Sequence, residues 1–193
     1  MNTSNKPARW LGVLSLAGGV AAILGGLFWI AFHLYYIFSG IDYLEIGASI
    51  LLAGLGAFFM ALAVFSLMRG PHLGTAGKIG AGILLAGMIP FFMGAFIVGF
   101  NIWEGGWFFA IGGEALSALG LAAFSLGALV DEPRAFWKWL PLFLAPVYFV
   151  SFSTMASSFP AWAPEYTPEW LAVLYGAGWM VFGFLLPRRT FAT

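Results

Sequence analysis

Residues 107–130 read WFFAIGGEALSALGLAAFSLGALV, and Glu114 is the one ionisable side chain in the run. A helix of about 20 predominantly apolar residues crosses the hydrocarbon core of a bilayer, so this stretch is long enough to span it. Five more stretches read the same way: Trp10–Tyr36, Tyr43–Met68, Ile79–Asn101, Phe136–Ser157 and Pro168–Leu186. Turn chemistry separates them at Ser39-Gly40, Gly70-Pro71, Gly105-Gly106, Asp131-Glu132-Pro133 and a longer stretch holding Pro160 and Pro164. Short connectors make sequential helices antiparallel neighbours. The expectation is an all-α, polytopic integral membrane protein with six transmembrane helices, one transmembrane domain over residues 1–193 and no soluble domain.

Composition points the same way. Of 193 residues, 62% are hydrophobic and 8% charged, against about 25% charged in a soluble domain. So few charges cannot coat a soluble core. Lys plus Arg equal Asp plus Glu at 8 each, so no basic excess calls for nucleic acid as a partner. With no Cys, disulfides, thiolate chemistry and Cys-held metals are excluded. The first apolar run continues to about Phe38, too long for the roughly 7–15 residues of a signal-peptide core, and reads as a retained helix.

Basic residues mark the cytoplasmic side of short loops. Lys6 and Arg9, Arg69 and Lys78, Arg134 and Lys138, and Arg188 and Arg189 all fall on one side, which places both termini in the cytoplasm. The opposite side carries Asp42, Glu45, Glu104, Glu165 and Glu169. Trp10, Trp137 and Trp139 fit an inner aromatic belt, and Tyr43, Trp103, Trp107, Trp162, Tyr166 and Trp170 an outer one, while Trp29 and Trp179 lie deeper. Short loops, a basic cytoplasmic side and the lack of a soluble domain suit a bacterial cytoplasmic (inner) membrane, that is, a plasma membrane.

Small residues form stripes at spacings of four. Ser49, Ala53, Ala57 and Ala61 line up on the second segment, and Gly82, Ala86, Pro90 and Gly94 on the third. Such stripes let helix backbones approach in lipid, within the chain or against a partner chain. Pro90, Pro141 and Pro146 each remove a helix hydrogen bond. The resemblance of Gly54-Leu-Gly-Ala-Phe58 to Gly120-Leu-Ala-Ala-Phe124, with Gly176-Ala-Gly-Trp179 at a comparable place, raises the reading of three tandem helical hairpins.

Glu114 is the residue most able to carry chemistry. It lies roughly 13 Å into its segment, where an ionised acid costs ~2–3 kcal/mol against ~3–6 kcal/mol returned by the neighbouring Leu, Ile, Phe and Val. Intramembrane acids serve as proton carriers, ion ligands or partners for polar groups; the plainer alternative is a protonated acid bonded to a neighbouring helix. His33, Asn101 and Glu104 fall in the same leaflet, so a polar cluster with Glu114 is geometrically allowed. His33 and His72 are about a bilayer apart, which rules out a facing haem pair and leaves no metal site. No base accompanies the serines of residues 151–158, and residues 70–77 lack a phosphate-loop ending.

No motif fixes a reaction, a cofactor or a substrate. The first reading is therefore a non-enzymatic membrane subunit or accessory protein packing against another membrane protein, a second copy of itself or membrane lipid. The second is a small transporter or channel using Glu114, and the third a membrane enzyme acting on lipid or quinone. The orientation has a direct test. Single cysteines at Ser39, Gly105 and Ala163 should react with an impermeant reagent applied to intact cells, and one at Gly74 should not; the reverse pattern would overturn the assignment.

Overall fold

Each apolar run is helical: α1 (Lys6–Ser39), α2 (Ile50–Arg69), α3 (Thr75–Gly99), α4 (Gly106–Asp131), α5 (Trp139–Ala156) and α6 (Thr167–Leu185), with a 3-10 turn over Gly47–Ser49 leading into α2. The computed structural model describes residues 6–39, 47–70, 73–131, 139–156 and 167–186. Leu, Ala and Met favour helix. A helix also satisfies its own backbone groups, as a lipid environment requires. Four of the helices have spans long and apolar enough to cross a membrane: Gly12–Ser39, Gly47–Arg69, Thr75–Gly99 and Gly106–Val130. The apolar parts described for α5 and α6, Trp139–Ser151 and Glu169–Leu185, are shorter.

Helix ends follow local chemistry. α3 stops at Gly99, two residues short of the expected end, because Asn101 takes a left-handed φ of 51°. The Asn101 amide then donates to the Val98 carbonyl and the Ile102 amide to that of Ile97. This is the paired closure of a helix C-terminus around a residue that tolerates αL. Pro90 and Pro146 lie inside their helices. Pro141 is the third described residue of α5 and borders residues outside the described ones.

Each helix packs on the next, and α6 returns to α1, so the six form a closed up-and-down ring. The seams are built from glycine. On α3, Gly80, Gly87 and Gly94 lie against the backbone of α4 at Phe124, Ser117 and Ala110. From α4, Gly113, Gly120 and Gly127 answer against Phe91, Leu84 and Ala76. Each series steps by seven residues, two helical turns, and so returns to the same face. α1 repeats the device on both flanks: Gly18 and Gly25 face Ser66 and Met60 of α2, while Gly26 lies against Gly176 of α6 and Gly183 of α6 against Gly19. Ser66 donates to the Leu14 carbonyl, and Ser15 donates to that of Leu186 at 3.0 Å, pinning α1 to both neighbours.

The stripes spaced by four are only partly used in this way. Ala53 and Ala57 are buried, Ser49 and Ala61 half-buried. On α3 only Gly94 belongs to the seam; Gly82 has open space around it and Ala86 is exposed. The face α3 turns to α4 follows the seven-residue series instead. Nor do the resembling segments occupy equivalent seams: Gly54 faces Ala95 of the following helix, Gly120 faces the preceding one, and Gly176 faces α1. α5 contains no glycine at all, so the three hairpins differ in how they are held.

Large apolar side chains cover the outside, among them Phe108 (83% exposed), Phe38 and Val130 (78% each). An apolar surface this wide suits a lipid or protein environment rather than water. Two substitutions separate seam from surface. Gly113→Ala forces a methyl into the α3 backbone at Phe91 and should cost ~1–3 kcal/mol as overpacking. Gly82→Ala meets nothing and should be neutral or stabilising by up to ~1 kcal/mol through helix propensity. Thermal unfolding in detergent followed by circular dichroism checks both; equal melting temperatures for the two variants would refute the seam assignment.

Candidate functional site

His33 follows Trp29 by one helical turn on α1, so the two share a face that points to the ring's interior. On α4, Trp107, Ala110, Ile111 and Glu114 fall three and four residues apart and also share a face. These side chains, together with Phe32, Ile50, Ala53 and Phe91, line a partly open cavity of about 60 Å³. Water needs roughly 10–15 Å³ of such space, so several atoms of a guest fit. α1 and α4 are not adjacent in the ring, and the cavity is the place where they face each other.

Its floor is aromatic. The Trp29 ring lies 5.6 Å from Phe91, 6.0 Å from Tyr148 and 5.7 Å from Tyr175, and the two tyrosines stack at 4.4 Å. Each such pair contributes about 0.5–1.5 kcal/mol beyond area burial, and together they tie α1, α3, α5 and α6. Tyr148 and Tyr175 both pack on Trp29, which lines the cavity. Beyond the floor, toward the α2–α3 connection, Met60, Val64, Leu84, Leu121, Phe124 and Phe182 fill the interior, each at most 2% exposed. The cavity therefore belongs to the half of the bundle that holds the α3–α4 turn.

His33 is 2% exposed and neither ring nitrogen has a hydrogen-bond partner. It is thus a residue of the ring's interior. Phe32 packs edge-on to the imidazole at 5.0 Å and Trp29 lies at 5.3 Å. A buried polar group left unpaired costs ~1–3 kcal/mol, so the void beside it is where that hydrogen bonding is to be satisfied. Glu114 is half-buried and lines the same void. The two do not bond directly, and both side chains line the void.

Of the four residues grouped from the sequence, His33 and Glu114 come together and the other two do not. Asn101 and Glu104 are exposed on the α3–α4 turn, where Asn101 closes α3 and the Glu104 carbonyl accepts from the Trp107 amide at 3.2 Å. Glu169, expected among the acids of the outer surface, is 4% exposed in the first turn of α6, where a helix N-terminus favours an acid. Asp42, Glu45, Glu165, Arg134, Lys138, Arg188 and Arg189 lie outside the described residues. Tyr148 and Tyr175 were missed by sequence reasoning. Their signal was depth, since both sit inside apolar segments where an interfacial belt would not put a tyrosine.

Chemically the site offers a carboxyl group, an imidazole and aromatic faces. Among the described residues no Lys or Arg lines it, and no three His, Cys, Asp or Glu side chains group as metal ligands. Compared with protein-family models, curated proteins and solved structures, the chain matches none of them.

Proposed function

We propose that this chain is a six-span integral membrane protein with both termini on the cytoplasmic side, working as a non-enzymatic subunit that packs against another membrane protein. One observation carries the reading. The glycines that hold the ring together are consumed in its seams, whereas Gly82 and Ala86 of α3 remain on the outside. They sit among the exposed side chains Ile79, Ile89 and Met93. A small-residue notch in an apolar helix face admits a second helix at close range. The bacterial inner membrane is the setting that the short loops and the basic side support.

Mild detergent extraction followed by mass measurement should yield a complex larger than one chain. Gly82→Leu, which fills the notch, should release the monomer without lowering its melting temperature. A stable wild-type monomer with no companion would count decisively against a subunit role.

The cavity favours a second reading, a small transporter whose pathway includes Glu114. An acid at membrane depth beside a void is the arrangement expected of an ion or proton path. In proteoliposomes, Glu114→Gln should then lower uptake at least tenfold, and unchanged uptake would sink this reading.

A further inference from the structure

We infer that the cavity between α1 and α4 is a binding site for a small primary ammonium ion, of the size of ammonium or methylammonium. Three features of the void select that chemistry. Among the described residues Glu114 contributes the only carboxyl group lining it, and none of their Lys or Arg side chains competes for that group or offers itself to an anion. His33 presents an imidazole whose nitrogens lack a partner although the residue is 2% exposed. A neutral imidazole has one acceptor nitrogen, which can take a second N–H from the same guest. Trp29, Phe32, Phe91 and Trp107 add aromatic rings to the lining, and a cation over the face of such a ring is stabilised further.

Competing guests fit less well. A metal ion asks for several oxygen, nitrogen or sulfur donors, and here there are one carboxyl group and one imidazole. An anion finds no cation. A large quaternary ammonium exceeds a void of about 60 Å³. An N–H cation of one or two heavy atoms suits the two kinds of acceptor that line the void and its volume. The site stands whether or not its occupant crosses the membrane, so it is separate from both the subunit reading and the transport reading.

The test is equilibrium binding to the intact protein in detergent micelles. Methylammonium chloride is titrated against indole fluorescence and calorimetry, with sodium chloride and tetrabutylammonium chloride at equal ionic strength as references. Saturable binding of methylammonium, with no saturable response to either reference, is the expected result. Glu114→Gln should weaken it at least tenfold while keeping the wild-type gel-filtration profile. If that variant fails to fold, His33→Phe, which replaces the imidazole by another ring in an aromatic setting, should abolish saturation. A linear response to methylammonium, an equal response to sodium, or full affinity in a folded variant would overturn the assignment. Because the readout is binding, these results are independent of subunit mass and of uptake.

Discussion

Everything else in this molecule depends on backbone meeting backbone at glycine. In a lipid environment helices gain little from hiding apolar side chains, since the surroundings are equally apolar, and association rests on close packing. Removing the side chain at every seventh position lets two helices approach until main chain touches main chain. Gly80, Gly87 and Gly94 on α3, answered by Gly113, Gly120 and Gly127 on α4, make such a seam along nearly the full length of both helices. Two turns of an α-helix take 7.2 residues, so a strict seven-residue series drifts by about 20° per repeat and favours a left-handed wrap.

That tightness explains where the cavity lies. Pairs drawn together around a ring leave the centre to be filled by whatever their inward faces carry. In the half near the α2–α3 connection those faces carry large apolar side chains and the interior is full. In the half near the α3–α4 turn, Trp29, Phe91, Tyr148 and Tyr175 close the centre like a floor. Above them the small residues Ala53 and Ala110 leave space beside His33 and Glu114. The polar pair thus lines a stretch of interior that its neighbours leave partly unfilled.

α5 stands apart in this scheme. Without glycine it meets α6 through Leu144 against Gly178 and through the stacked tyrosines, so side chains rather than backbone set its distance. Pro146, exposed on the same helix, lacks an amide to complete the helical ladder. The tie of α5 to the aromatic floor is through Tyr148.

Much was legible in the residues alone. Apolar runs of membrane-crossing length specified six helices, because periodic apolar composition over about 20 residues has few other solutions, and the lone acid of residues 107–130 singled out Glu114. What the order of residues could not settle was which helices face each other. Small residues recur at both four and seven, and each spacing defines a helical face. Only the three-dimensional arrangement decided that the series spaced by seven forms the α3–α4 seam while Gly82 and Ala86 stay outside. Likewise His33, Asn101, Glu104 and Glu114 share a leaflet in one dimension. The ring brings His33 across to Glu114, whereas the αL turn at Asn101 carries Asn101 and Glu104 out to the surface. Depth along a helix is a property of the chain, but direction around it is fixed by the neighbours it packs against.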